Sequence, residues 1–181
     1  MTDAAADLVL VEQFLNTLDE RTFSWHGEKR VAGDALTSVE ALSAWLEAHG
    51  LATAGRQPGP DDLAAAVALR AALREALTDG ADGAKAAETL ARFPLRLVPD
   101  PSGRLRIGAS GGGPAGLGVI VETVAASVAG GGWSRLKLCS AADCRWAFYD
   151  SSRNGGGRWC SMEACGNRNK TRAYRRRRAA E

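Results

Sequence analysis

Apolar residues recur at helical spacing near the start of the chain, which predicts two amphipathic helices. In the first, residues 7–18, Asp7 is available as the N-cap and the apolar positions share one face. The second, residues 38–49, follows a capping box formed by Thr37 and Glu40 and ends at Gly50. Residues 19–33 between them show no clear period, and a loop or a short extended piece is expected there.

A longer helix is predicted over residues 61–78, where one of two consecutive aspartates can serve as the cap. Its apolar residues form a stripe that should face the core. Arg70, Arg74 and Glu75 fall on the opposite side, and we expect them to face solvent.

The pattern changes further along the chain. A short helix is predicted over residues 84–92 and another over residues 117–128. Between them lie two stretches of strand character around Asp100–Gly103, which predicts a β-hairpin with proline at the second turn position. Gly130–Gly132 then end the last helix and are expected to be a flexible join.

Charge divides the chain at the same place. Residues 1–132 hold 11 basic and 17 acidic side chains, a net charge of −6, whereas residues 133–181 hold 12 and 4, a net charge of +8. We therefore predict a mainly helical domain with a hairpin over 1–132 and a small basic module over 133–181, packed separately. A surface as basic as this module attracts anions.

All four cysteines lie in the basic module, in the spacing C-x4-C-x15-C-x4-C: they are Cys139, Cys144, Cys160 and Cys165. Two close pairs separated by a loop are typical of a structural zinc site with four thiolates. Two disulfides are the alternative. They are typical of secreted chains, however, and this one opens with acidic residues instead of a basic secretion signal. Four thiolates fill a tetrahedral ion, so metal-assisted hydrolysis is not expected.

Short strands should frame these cysteines. One is predicted at Leu136–Leu138 and one at residues 146–149, where period-2 alternation puts Trp146 and Phe148 on one face and Tyr149 on the other. Trp159 should close over the same small core. Stacking of these rings on bases is the alternative, but a module this small needs them inside.

A basic helix is predicted after the last cysteine pair, with Ser161 as the candidate N-cap. Its cations are candidate nucleic-acid contacts, and they are Arg168, Lys170, Arg172, Arg175, Arg176, Arg177 and Arg178. Phosphate would relieve the repulsion among them, and arginine favours bidentate contacts. The alternatives are contact with a protein or an anionic surface, and a solvated tail.

Two other residues of this region have structural interpretations. Asn167 is able to pair with adenine, but we favour a hydrogen bond to the backbone beside the metal. Gly166 is expected where a side chain would collide with the hairpin.

Two short sequences match enzyme motifs, but neither has the other residues that the motif's chemistry needs. Gly108–Gly112 satisfies G-x-S-x-G, but both histidines, His26 and His49, lie upstream of it, whereas that hydrolase fold needs one downstream. Gly111–Gly116 spells G-x-G-x-x-G without a ribose-binding acid about 20 residues later. We predict no catalytic residues and no enzyme activity.

The best apolar run, Leu117–Ala129, is too short to span a bilayer, so a cytoplasmic protein without a membrane partner is expected.

The C-terminal residues carry a family resemblance. Cys139, Cys144, Trp146, Phe148 and Asp150, followed by Ser152–Asn154, Arg158–Met162 and Cys165–Arg168, resemble the CGNR zinc finger. That family joins the finger to an N-terminal domain that resembles a stress-induced transcription regulator, and the segment SVEALSAWLEAHGL is similar to part of it. Gly155–Gly157 stands where more basic residues are expected in such a finger.

These observations predict an α+β protein with a treble-clef-like zinc finger and one structural Zn²⁺ per chain. The expected function is transcription regulation through DNA, with an N-terminal domain that senses an effector or forms a homodimer. RNA binding and protein interaction are the alternatives. The basic helix would serve DNA and RNA alike.

Overall fold

The computed structural model describes residues 4–53, 55–110 and 116–179. The helices are α1 (Ala4–Leu15), α2 (Val39–Ala48), α3 (Pro60–Ala76), α4 (Ala84–Leu90), α5 (Leu117–Ala129) and α6 (Asn167–Arg178). The strands are β1 (Leu18–Asp19), β2 (Ser24–Trp25), β3 (Glu28–Lys29), β4 (Gly33–Asp34), β5 (Leu95–Pro99), β6 (Leu105–Ala109), β7 (Leu136–Leu138) and β8 (Ala147–Tyr149). A 3₁₀ helix, Gly132–Arg135, precedes β7, and a π-helical turn, Met162–Gly166, leads into α6.

Every sheet in these ranges is a two-stranded antiparallel pair: β1 with β4, β2 with β3, β5 with β6, and β7 with β8. The combination of helices with small sheets agrees with the predicted α+β class. The predicted hairpin is β5–β6, where the Asp100 carboxylate accepts hydrogen bonds from the backbone of Ser102 and Arg104. The treble-clef arrangement stays a prediction.

Helix starts differ from those predicted. Helix α1 begins at Ala4, so Asp7 lies within the helix and is not its cap. Ser38, one residue after Thr37, caps α2, because its Oγ accepts from the Ala41 amide at 3.2 Å. Helix α3 begins at Pro60, and the Asp62 carboxylate reaches back to the Gly59 amide at 2.8 Å. Short polar residues crowd each of these starts, and local sequence alone does not decide among them.

The solvent-facing role predicted for two α3 arginines is wrong. The Arg70 side chain is 3% exposed and forms a bidentate pair with the Asp34 carboxylate, both bonds 2.6 Å long. It also donates to Thr17 Oγ1 at 2.9 Å. Arg74 is buried too, and it donates to the Leu15 carbonyl at 3.0 Å and to the Glu20 carboxylate. Burial of these cations is possible because each has acceptors from other elements.

One hydrophobic core runs through both predicted domains. Leu8 and Phe14 of α1, Leu69 of α3 and Ile120 of α5 lie in the same buried cluster as Leu136 of β7. The expectation of separate packing is therefore wrong. Nor is Gly130–Gly132 a loose join, since Gly132 is buried and begins the 3₁₀ helix that runs into β7.

Strand β8 lies between this core and a second, smaller one. Ala147 and Tyr149 face the main core, whereas Trp146 and Phe148 join the cluster around the cysteines, as the alternation predicted. The Asn16 side chain fixes the strand to the end of α1: its amide donates to the Ala147 carbonyl at 2.9 Å and its oxygen accepts from the Ala147 amide at 2.8 Å. The C-terminal module is thus attached to α1 by hydrogen bonds as well as by apolar contact.

The glycine-rich signatures fall partly outside the described residues. Gly111 and Gly112, which complete G-x-S-x-G, lie there, as does most of the G-x-G-x-x-G sequence. Among the helices that the structure describes, none has the length and apolar character needed to cross a bilayer.

The buried Arg70–Asp34 pair should contribute strongly to stability. Arg70→Ala is expected to lower the free energy of unfolding by about 2–4 kcal/mol, because it leaves a carboxylate unpaired beside the core. This expected loss of stability is smaller than that for a fully buried ion pair, because the Asp34 side chain is 32% exposed. Urea unfolding measures the change, and Arg92→Ala, an exposed arginine, is the control, with an expected change within about 0.5 kcal/mol. Equal destabilisation by both variants would contradict this assignment.

Candidate metal centre

The four cysteine sulfurs converge on one point. All four Sγ atoms lie within 4.8 Å of one another, with Cys144 and Cys160 3.6 Å apart and Cys160 and Cys165 3.8 Å apart. Zinc–sulfur bonds of about 2.3 Å in a tetrahedron put the sulfurs about 3.8 Å apart, so the cluster fits this ion. The cysteines are free thiols, which argues against the disulfide alternative. The four cysteine sulfurs therefore form a site for one structural zinc ion.

Local structure presents the sulfurs in two turns. In the first, Cys139 follows β7 and its amide donates to the Trp146 carbonyl at 2.9 Å, while the Cys144 amide donates to the Ala141 carbonyl at 2.9 Å. In the second, Ser161 caps the π-helical turn as predicted, accepting from the Ala164 amide at 3.2 Å. Cys165 lies within this turn and is fully buried.

Without a cation the four thiols are not all ionised. Hydrogen bonds from Cys144 and Cys160 lower the pKa of Cys139 to about 2, so one thiolate forms readily. Hydrogen bonding to Cys139 raises the pKa of Cys144 to about 12 and also raises that of Cys160, and burial raises that of Cys165. A divalent ion offsets this repulsion, so zinc binding releases protons and weakens at low pH.

A buried ion pair organises the loop between the two cysteine pairs. Lys137 Nζ lies 2.7 Å from Asp150 Oδ2, and the Asp150 side chain is 3% exposed. Asp150 also accepts from the amides of Ser152 at 3.0 Å and Gly157 at 2.7 Å. A side chain at Gly157 would meet Asp150 Oδ1 at 2.6 Å, so this glycine permits the close approach. Lys137, Ser152 and Gly157 together lower the pKa of Asp150 well below its ordinary value.

Aromatic side chains cover the sulfurs. Trp146, Phe148 and Trp159 pack beside the cysteines, as predicted. Phe23, 8% exposed, joins them from the N-terminal part of the chain, where a loop or a short extended piece was expected. The two aromatic residues Phe23 and Trp25 were the only sequence signal of this contact. The cysteines lie more than a hundred residues later, and a contact between such distant residues produces no local sequence pattern.

Sequence comparison supports these observations. The family description "CGNR zinc finger" matches residues 135–178, and "Putative stress-induced transcription regulator", known as ABATE, matches residues 8–131. The second match spans more than half of the chain. The chain belongs to this ABATE family. It also carries the CGNR finger that its cysteines predicted. No curated protein matches the chain.

The residues that give the CGNR finger its name, Cys165–Arg168, span the end of the π-helical turn and the start of α6. Asn167 is exposed, whereas Asn169 is the residue that donates to the Cys165 carbonyl, at 2.9 Å. Gly166 does not make room for the hairpin: a Cβ there would meet Met162 at 2.8 Å and Trp159 at 3.3 Å. Arg168 turns inward and donates to Asp143 Oδ1 at 2.9 Å and to Cys165 Sγ at 3.5 Å.

The predicted nucleic-acid residues of this ABATE protein thus fall into two groups. Arg168 and Arg172 both pair with Asp143 at 2.9 Å, with side-chain exposures of 17% and 52%. Arg168 is therefore removed from the candidate contact set, because its guanidinium is already engaged inside the finger. Arg172 pairs with Asp143 but stays exposed, so it remains a candidate. The other candidates are exposed on α6 and form no ion pair among the described residues: Lys170, Arg175, Arg176, Arg177 and Arg178.

Loss of one thiolate should strongly weaken zinc binding. Cys144→Ser is expected to reduce zinc from one ion per chain to less than half, because serine does not replace a thiolate ligand. Since β7 and β8 share the main core, thermal unfolding of the whole chain should also shift downwards. Metal analysis and calorimetry measure both effects. An N-terminal part that melts at the wild-type temperature would show that the shared core contributes little.

The lowered pKa of Asp150 predicts the pH dependence of its contribution. An ionised acid with a depressed folded-state pKa stabilises above its ordinary pKa, about 3.9, and this contribution is lost as the pH falls through the folded-state value. Asp150→Asn should therefore lower the free energy of unfolding by about 2–3 kcal/mol. The difference in the free energy of unfolding between Asp150→Asn and the wild type should be constant between about pH 8 and pH 5.5. Urea unfolding across this range measures it, and a difference that vanishes by about pH 6 would contradict the assignment.

Proposed function

We propose that this protein is a zinc-dependent DNA-binding transcription regulator, without enzyme activity, that contacts DNA through the exposed cations of α6. One observation carries the proposal: in the described part of the chain, Arg175–Arg178 form no ion pair, whereas Arg168 and Arg172 are paired with Asp143. Four adjacent arginines without acidic partners favour an anionic ligand.

The finger holds this helix in place. Asp143, in the first cysteine turn, pairs with both Arg168 and Arg172, and Cys165 lies in the turn that leads into α6. The zinc site therefore fixes where the helix starts, and its last turn projects away from the ligands. A helix of this kind fits the major groove of B-form DNA, which is about 12 Å wide.

DNA is preferred to RNA for two reasons. The family that matches residues 8–131 is described as a transcription regulator. In addition, α6 would reach base edges in the major groove of B-form DNA, whereas the deep and narrow major groove of A-form RNA would restrict it to phosphate and sugar contacts. The N-terminal domain would sense a signal or form a homodimer, and the protein would act on the nucleoid in the cytoplasm.

The salt dependence of binding tests the role of the four arginines. If α6 neutralises about five phosphates, log affinity against log salt should have a slope near −4.5, at about −0.9 per contact. Changing Arg175–Arg178 to alanine should make that slope shallower by up to about four contacts. Zinc content should stay at wild-type level, because these residues lie beyond the metal ligands. Fluorescence anisotropy with a labelled duplex measures the slope.

The matched control removes four exposed cations elsewhere: Lys85, Arg92, Arg96 and Arg104 are changed to alanine. It gives the same net charge and should keep the wild-type slope. If both variants flatten the slope equally, the effect is one of total charge and α6 is not the interface. Competition by structured RNA against duplex DNA forms the second arm, and preferential binding of RNA would contradict the DNA assignment.

A further inference from the structure

The zinc centre is covered by a segment from the other end of the chain. We call residues 19–30 the cover segment; it contains the β2–β3 hairpin and Phe23, which lies in the same buried cluster as Cys139, Cys144 and Cys165. The Thr22 amide donates to the Asp143 carbonyl at 3.1 Å. The guanidinium of Arg21 lies 3.7 Å above the Trp146 ring. The segment thus contacts the region of the first cysteine turn through a backbone hydrogen bond, a buried aromatic ring and a cation–π interaction.

Arg168 joins this segment to the metal ligands. Its guanidinium carbon lies 3.5 Å above the Phe23 ring, and its Nη2 contacts both Asp143 and Cys165 Sγ. Its Nε and Nη1 are buried and form no hydrogen bond among the described residues. A buried cation with unpaired donors is costly unless other negative charge lies close by. Here the Asp143 carboxylate and the zinc–tetrathiolate core, whose net charge is −2, supply that charge, and the electron-rich face of Phe23 adds a cation–π contact.

We propose that zinc binding and docking of the cover segment are coupled through Arg168 and Phe23, so that metal occupancy of the finger is communicated to the N-terminal domain. Zinc fixes the thiolates that Arg168 faces, and Arg168 in that position forms the surface on which Phe23 packs. Coupling is reciprocal, so the factor by which docking strengthens zinc binding equals the factor by which zinc strengthens docking. Arg168 and Phe23 are positioning residues, since neither binds the metal.

Zinc affinity of the full chain tests one direction of the coupling. Phe23→Leu and Arg168→Lys should each weaken zinc binding about tenfold, the lower end of the range for residues that support metal ligands. Lysine keeps the charge of Arg168 but loses its planar stacking. The double variant should lose far less than the product of the two effects, because both act through one contact. Competition with a chromophoric chelator measures these affinities.

The control is Phe93→Leu, the same chemical change at a partly buried ring of the main core. It should leave zinc affinity at the wild-type value. Wild-type affinity in Phe23→Leu, equal losses in Phe23→Leu and Phe93→Leu, or independent effects in the double variant would each overturn the proposal.

Amide hydrogen exchange tests the other direction. The Thr22 amide should lose about tenfold in protection when zinc is removed from the wild-type chain, while the Leu69 amide in α3 stays protected. Unchanged protection of Thr22 would overturn the proposal, and so would equal loss at Thr22 and Leu69, which reports global unfolding. Neither readout uses nucleic acid, so these results do not depend on whether α6 binds DNA.

Discussion

The structure of the C-terminal module depends on bringing four sulfur atoms together. Four thiolates repel one another, and burial opposes their ionisation, so the cluster is favourable only around a dication. The remaining features of the finger serve this requirement. Ser161 holds the second turn, and the Lys137–Asp150 pair fixes the loop that spans the two cysteine pairs. The apolar cluster around the sulfurs is small, and the metal replaces much of the core that a module of this size lacks.

Arginine has three distinct roles in this chain, and charge counting does not separate them. Arg70 and Arg74 are buried in α3, where they join α1 and the segment after it by hydrogen bonds. Arg168 neutralises thiolate charge and stacks on Phe23. The four consecutive arginines at the end of α6 are exposed and form no ion pair among the described residues, whereas Arg168 and Arg172 on the same helix pair with Asp143. The net charge of +8 over residues 133–181 therefore overstates what is available to a ligand.

Sequence predicted the elements whose pattern is local. Helix α5, the β5–β6 hairpin and the short strands beside the cysteines all occur where periodicity and turn residues indicate. The cysteine spacing predicted the zinc ligands because both pairs are set by tight turns. The errors involve contacts between distant residues. The helical pattern put Arg70 on the solvent-facing side of α3, because nothing local shows that the fold brings Asp34 beside it. Likewise, no local pattern places Phe23 in the cluster around the cysteines.

Strand β8 shows why the N-terminal domain and the finger are not independent. Its period of two puts Ala147 and Tyr149 in the main core and Phe148 beside the sulfurs, and Trp146, the residue before the strand, continues the alternation on the sulfur side. A shift of this strand by one residue would exchange the two sets and disrupt both cores at once. The Asn16 amide fixes the register through two hydrogen bonds to Ala147, so α1 helps to determine which side chains surround the metal. Thus the N-terminal helix of the ABATE domain is part of the support of the zinc site.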